Sequence, residues 1–419
     1  MQSARNILIF GLLISVLIRG FFISQSLHIA DIYLLYNMGV SLFNGFNPYL
    51  KLDFYSYPPL AILIQTFSVF ASPFVDQPFV VVSKFFPNFF DTLTGILIYK
   101  FLANSGTKPK NAAGWAVFYL LNPLSIIISS IHGQLEGIFL FFVVFSIYFL
   151  KKNCLLAGLI YGISIAIKPS PLILFPLFLF AEKINFKQKI YFCFLSVAPT
   201  LISVLPFLED NSQKVISSIL GYQGVFDMSY GAVLKGVWFS ANENFDLPLI
   251  KDFASASRLL FLSAYITILL LFLGSKNFIK RCLAVILSYY IFTFGVSVQH
   301  LYWVLPLAIL AKDRLVILYT FFASLAVLGF YLYLGPDILL GKLGSIEPLS
   351  PKYFPVYVLG NLVFWGFCVF WVVKIIKPQL EELKKFSLIR RKLTYFSLGI
   401  FLITFIIGIK VISEFFQLL

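Results

Sequence analysis

Four short segments of this chain hold side chains that could move a proton or hold an anion. Asp31 follows His28 and stands among Tyr33, Tyr36 and Asn37. His132-Gly133-Gln134-Leu135-Glu136 interrupts an apolar stretch, Lys168-Pro169-Ser170-Pro171 ends another, and Gln299-His300-Leu301-Tyr302-Trp303 breaks a third. Partial desolvation among aromatics predicts a raised pKa and base character for Asp31; an ordinary interfacial aspartate in an aromatic belt is the plainer alternative. Lys168 ends an apolar helix beside two prolines, where an unpaired ammonium is costly, so an anion such as phosphate suits it; snorkelling to the interface is the alternative. His132 and His300 could donate to the same anion, while Gln134 and Glu136 could meet hydroxyl groups. For each of these, a satisfied polar group at a helix end is the competing reading. Tyr57, in Tyr57-Pro58-Pro59, adds a polar tip. The segment Gly221-Tyr222-Gln223-Gly224 through Trp238 could stack on a polyol ring or simply pack its loop.

The elements that carry these residues follow from composition. The chain has 419 residues, 60% of them hydrophobic and 12% charged, with a mean hydropathy of +0.92. Soluble domains carry roughly 25% charged residues, so a soluble enzyme, a disordered chain, a coiled coil and a disulfide scaffold are all excluded. An all-α polytopic membrane protein is expected, with about thirteen transmembrane helices between residues 6–23 and 394–412. The first run lacks a small-x-small cleavage site and reads as a retained signal-anchor. Pro58 to Ser72 reads as a re-entrant or interfacial helix, because counting it as a span would invert every later basic loop. The four cysteines are scattered through apolar runs without CxxC spacing and read as small hydrophobes.

Most of the 32 basic residues, from Arg5, Lys100 and Lys108 to Lys374, Arg390, Arg391 and Lys392, then fall on one face, read as cytoplasmic. The formal charge of +14 therefore reports membrane orientation and contact with anionic membrane lipids; nucleic acid is not an expected partner. The opposite face receives the four polar segments and all three histidines, so helix ends on that face are expected to line one cavity. Lys84 and Asp91, seven apart on one helix, are expected to form an ion pair or network.

Several motifs in order resemble the polytopic GT-C glycosyltransferases, and within them the GPI mannosyltransferase I catalytic subunits and the related polyprenyl-phosphate-mannose-dependent enzymes of bacteria and archaea. They are Asp31, Asn47-Pro48-Tyr49, Tyr57-Pro58-Pro59-Leu60, Lys84 to Asp91, Leu121-Asn122-Pro123-Leu124, Ser129-Ser130, Gly133-Gln134-Leu135-Glu136, Gly158-x-x-x-Gly162, Lys168-x-x-Pro171 with Pro176, and Gln299 to Pro306. The resemblance implies a single integral membrane domain over 1–419, with a GT-C-like catalytic module at 1–311 and additional C-terminal helices at 312–419. It implies inverting transfer of a sugar, mannose first, from a polyprenyl-phosphate donor to a lipid or glycan acceptor on the extracytoplasmic or lumenal face. Asp31 is then the catalytic base. The chemistry of such a transfer, rather than the resemblance, assigns Lys168, His132 and His300 to the donor phosphate and Gln134, Glu136, Tyr57, Gln299, Tyr222 and Gln223 to sugar or acceptor.

The family's Asp-x-Asp pair survives only in its second position, Asp31, since Ile29 occupies the first. No protein metal site is expected and no cofactor is firmly implied, although a divalent cation stays possible. No HExxH, Gly-rich phosphate loop or nucleotide fingerprint is present, which argues against a sugar nucleotide donor. Two other classes compete. A lipid-linked sugar transporter or flippase would show related halves, and none are evident. A non-catalytic subunit of a glycan assembly complex would tolerate replacement of Asp31.

Overall fold

The computed structural model describes residues 2–25, 30–51, 56–181, 184–221, 227–241, 247–273, 277–334, 351–382 and 388–418. Among them the chain is helical and forms no strand, the expected outcome for a membrane chain that must satisfy its backbone within each segment. Among the described residues six helices are long and apolar enough to cross a bilayer: Gln2–Ser24, Phe186–Leu220, Ala254–Leu271, Leu315–Tyr333, Phe354–Glu381 and Leu388–Lys410. A bent pair, Pro109–Leu120 with Pro123–His132, makes a seventh if it counts as one span. By length and composition six or seven of the described helices qualify as spans, beside shorter apolar helices that include Glu136–Phe149 and Cys154–Ile167. The runs expected at 136–150 and 154–168 form helices of 14 residues each, Glu136–Phe149 and Cys154–Ile167, and the run expected to be re-entrant forms the 16-residue helix Pro59–Phe74. The run read as one span over 112–131 is bent by 43° at Asn122-Pro123, because proline supplies no N–H and drives the preceding residue out of helical geometry. The chain is an integral membrane protein.

The chain divides into two compact units. The first runs from the N-terminus to Leu179 and over 183–222. It contains α1 (Gln2–Ser24), α2 (Ala30–Phe43), α3 (Pro48–Lys51), α4 (Pro59–Phe74), α5 (Phe79–Asn104), α6 (Pro109–Leu120), α7 (Pro123–Ile126), α8 (Glu136–Phe149) and α9 (Cys154–Ile167). α2 lies against α4, and α5 packs on α6 and α8. The second unit takes 180–182 and most of the chain from 223 onward. In it Leu315–Leu334 packs on Phe354–Glu381, and Leu247–Leu271 on Leu388–Leu418. The latter pair is pinned by Ser263 Oγ to Thr404 Oγ1 at 2.9 Å and Thr267 Oγ1 to Ser397 Oγ at 2.7 Å, side-chain links suited to helices in lipid.

Lys84, Asn88 and Asp91 share one face of α5, the spacing that i, i+4, i+7 produces. Lys84 and Asp91 do not pair directly, as they are about 10.5 Å apart along the axis at 1.5 Å per residue. Asp91 Oδ2 takes Arg19 Nη1 at 2.8 Å, and Lys84 Nζ donates to the Ile131 carbonyl at 2.7 Å. Asn88 lies between them. Its Oδ1 accepts from Arg19 Nη1 at 2.9 Å and Ser130 Oγ at 2.5 Å, while its Nδ2 donates to Lys84 O and Ser129 O. This buried network joins α1, α5 and the turn after α7.

Candidate functional site

Each residue of the site in the first unit sits at a helix end. Asp31 lies in the first turn of α2, where the helix dipole favours a carboxylate. His132 closes a single π-helical turn, Ile127–His132, that continues α7. Gly133 follows with φ +76°, and the Gln134 N–H reaches back to Ile128 O at 3.1 Å. Glu136 opens α8 and is fully buried. Lys168 caps α9 in extended geometry, its N–H bonded to Ser164 O at 3.1 Å, and Tyr161 Oη donates to Pro171 O across the following turn.

Gly133 is required twice over. Its left-handed φ disfavours a side chain, and an added Cβ would stand 2.6 Å from Ile32 Cδ1 and 2.8 Å from Lys84 Cε. Gly133→Ala is therefore expected to destabilise the protein by about 1–3 kcal/mol, read as a lower unfolding temperature in detergent. An unchanged temperature would show that this turn is not held.

The turn and α2 bring together Asp31, His132 and Gln134. His132 Nε2 lies 3.3 Å from Asp31 Oδ2, a hydrogen bond when that nitrogen carries the proton. Gln134 Nε2 donates to the same oxygen. Among the described residues none donates to Oδ1, and the Asp31 side chain is 47% exposed. Tyr57 Oη donates to Gln134 Oε1 at 3.1 Å, and Tyr49 Oη to the Tyr57 carbonyl at 2.8 Å. Beside them Lys168 Nζ donates to Glu136 Oε1 and stands 5.4 Å from the Tyr57 ring centroid. Glu136 Oε2 is buried with no hydrogen-bond partner among the described residues.

These contacts bear on two expectations. Burial works to raise the Asp31 pKa, but the hydrogen bond and charge of His132, the charge of Lys168 and the Gln134 amide outweigh it and hold the carboxyl below its ordinary 3.8. Asp31 is a carboxylate whose partners outweigh its desolvation. Lys168 has a carboxylate partner that its position in the sequence did not reveal, Glu136. Sequence reading missed Arg19 and Tyr49; an arginine inside the first apolar run was the available signal for Arg19.

The other expected members lie elsewhere. His28, Tyr222 and Gln223 are outside the described residues. Gln299 and His300 belong to the second unit and are buried. There the His300 Nδ1 accepts the Ser297 N–H at 3.1 Å, its carbonyl accepts from Tyr290 Oη, and its ring centroid is 4.3 Å from that of Trp303. Among the described residues no group of three or more His, Cys, Asp or Glu side chains could hold a metal ion.

A family model described as GPI transamidase subunit PIG-U matches residues 23–296. The chain is also similar to proteins named GPI mannosyltransferase 1. It is 37% identical to that of Kluyveromyces lactis over 131 residues, 31% of this chain and 30% of the relative. It is 31% identical to that of Saccharomyces cerevisiae over 145 residues, 34% of each. With that of Dictyostelium discoideum it shares 32% over 149 residues, 35% of this chain and 32% of the relative. These similarities span about a third of the length of the curated relatives.

Proposed function

This chain belongs to the family whose model is described as GPI transamidase subunit PIG-U, and from that membership, the similarity to GPI mannosyltransferase 1 proteins and the Asp31 site we propose that it is a membrane glycosyltransferase. In this reading it is an inverting GT-C enzyme that moves mannose from a polyprenyl-phosphate donor to a lipid or glycan acceptor on the extracytoplasmic or lumenal face. The observation that carries it is the Asp31 carboxylate, half exposed, with two donors on Oδ2 and Oδ1 open.

The chemistry follows from that geometry. An acceptor hydroxyl placed on Oδ1 gives up its proton there as its oxygen attacks the anomeric carbon and the sugar–phosphate bond breaks. With charge spread as in an oxocarbenium-like transition state, the hydroxyl becomes acidic late, so a weakly basic carboxylate in fixed position suffices. The leaving phosphate recruits Lys168 from Glu136, with His132 as a further donor. Glu136 Oε2, buried without a partner, then accepts a sugar hydroxyl. Tyr57 and Gln134 line the same space, and Gln299, His300, Tyr222 and Gln223 are assigned to donor or acceptor contact from the sequence alone.

The Lys168 assignment has its own test. Lys168→Gln is expected to weaken donor binding more than Lys168→Arg, because the contact to phosphate is mainly one of charge. Lys168→Gln also strands the buried Glu136 carboxylate, a change typically worth 3–5 kcal/mol. The double variant Lys168→Gln with Glu136→Gln should regain stability without regaining donor affinity. Equal donor affinity in all of these proteins would remove Lys168 from the site.

A second reading is favoured by the family description, which names a subunit of an assembly: the chain binds a glycolipid without turning it over. Purified protein incubated with polyprenyl-phosphate mannose, other polyprenyl-phosphate sugars and a native lipid extract separates the two. Transfer with inversion at the anomeric carbon supports the enzyme. Glycolipid binding without transfer from any donor supports the subunit.

A further inference from the structure

Tyr57 was expected to touch sugar or acceptor, yet its hydroxyl is already spent on Gln134. The contacts around it run in one direction. Tyr49 Oη donates to Tyr57 O, Tyr57 Oη donates to Gln134 Oε1, and Gln134 Nε2 donates to Asp31 Oδ2. We propose that Tyr49, Tyr57 and Gln134 form a hydrogen-bonded strut for Asp31, and that Tyr57 is a positioning residue acting on Asp31 through the Gln134 amide.

The chemistry of the groups fixes the sense of the strut. A carboxylate only accepts, so the Gln134 amide must turn its N–H toward Asp31 and its carbonyl away. That carbonyl belongs to a residue 1% exposed, where water is a poor substitute, and Tyr57 supplies its donor. Losing that donor leaves a buried carbonyl unsatisfied unless the amide rotates. Rotation loosens its grip on Asp31. Consecutive hydrogen bonds also polarise one another, so each strengthens the next.

Both tyrosines of the strut are anchored by their surroundings. Tyr49 is fully buried, packed with Met38, Ile62, Phe207 and Val215, and follows Asn47-Pro48, where Asn47 Oδ1 accepts the Tyr49 N–H at 3.1 Å. Tyr57 precedes Pro58 and Pro59, which fix the entry to α4, Pro58 being extended at φ −65° and ψ 162°. The Asn-Pro-Tyr and Tyr-Pro-Pro motifs thus serve one purpose, aiming a tyrosine at Gln134.

The charged groups facing Asp31 are His132 on the π-helical turn and Lys168 at the end of α9, the latter already paired with Glu136 of α8. Lys84 of α5 runs beneath Gly133 and bonds Ile131 O. None of them contacts the Gln134 amide in the described contacts, so a change at Tyr57 reaches Asp31 by the strut.

The proposal rests on the catalytic reading for its kinetics but not for its central measurement. Full-length protein labelled with carboxyl-¹³C aspartate in detergent is titrated, and the Asp31 resonance is the one lost in Asp31→Asn. Tyr57→Phe keeps the ring and removes the donor. Its Asp31 midpoint should rise by roughly half to one pH unit, the shift matching loss of one hydrogen bond to a carboxylate. Gln134→Leu should raise it at least as far, and Tyr57→Phe should add nothing in the Gln134→Leu background, the signature of two residues acting in series. Turnover, if present, should fall about three- to tenfold in kcat with KM unchanged, and its acid limb should move up with the midpoint. An unmoved midpoint in Tyr57→Phe, or the same shift in both backgrounds, overturns the strut. If Tyr57→Phe does not yield folded protein, Gln134→Leu decides: no shift there overturns the strut as well. Absence of turnover in wild type would sink the enzyme reading and leave the titration to judge the strut.

Discussion

Asp31→Asn is expected to lower turnover by about 10²–10⁴-fold, the usual contribution of a general base, with little change in folding. Asparagine keeps the shape and one acceptor oxygen for His132 and Gln134 but cannot take a proton. The side chain is half exposed, so no buried charge is stranded and the unfolding temperature should stay near wild type. Donor affinity should hold or rise slightly, since a negative charge near the phosphate has gone. The pH dependence has a definite sign. The folded carboxyl lies below its ordinary 3.8, so the stability its hydrogen bonds contribute is fully present above that value and is lost as pH falls through the folded pKa. Turnover should likewise show no acid limb from Asp31 above about pH 4. Rates of wild type and variant between pH 4 and 8, with product configuration, test this. Near-normal turnover of Asp31→Asn would move the role to another carboxylate, Glu136 first and Asp53 next. Retention of configuration would require a covalent intermediate and end the single-displacement mechanism.

The sequence made the helical class legible because apolar runs leave no other way to satisfy a backbone in lipid. It also made Asp31, His132, Gln134, Glu136 and Lys168 stand out, because a polar residue inside such a run needs a reason. What it could not show was who meets whom. Glu136 and Lys168 are 32 residues apart, on different helices, and nothing in the spacing told that ammonium's carboxylate partner from a ligand. The raised pKa expected for Asp31 considered only the aromatic surroundings, whereas partners 101 and 103 residues away reverse the sign. Hydropathy also read 112–131 as one run, because an average over apolar residues does not register the bend at Asn122-Pro123 inside it. Averaging over a window also hid Arg19, one cation diluted by a strongly apolar helix.

Arg19→Ala is expected to destabilise the protein by about 3–5 kcal/mol, as loss of one member of a buried pair does. A surface ion pair would lose only about 0–1 kcal/mol; the difference here is burial. Arg19 is 2% exposed and Asp91 fully buried. The guanidinium makes five hydrogen bonds, to Ser15 Oγ, Asn88 Oδ1, Asp91 Oδ2, the Leu120 carbonyl and Ser125 Oγ. Truncation leaves Asp91 charged in the interior with Tyr119 Oη at 3.3 Å as its remaining described donor. Lysine is a poor replacement, since a single ammonium cannot present the planar fork that reaches partners on α1, α5 and the bend after α6 together. Replacing both charges, as in Arg19→Met with Asp91→Leu, should recover much of the loss, because a buried pair often contributes no more than well-packed apolar groups. The network also ends at Ser129 and Ser130, three and two residues before His132. Arg19→Lys should therefore disturb the Asp31 site without touching it, lowering kcat while leaving a folded protein. Thermal unfolding of the three variants in detergent tests the energetics. A loss below about 1 kcal/mol in Arg19→Ala, or a double variant no more stable than Arg19→Ala, would show that this network does not hold α1 and α5 to the turn that carries His132.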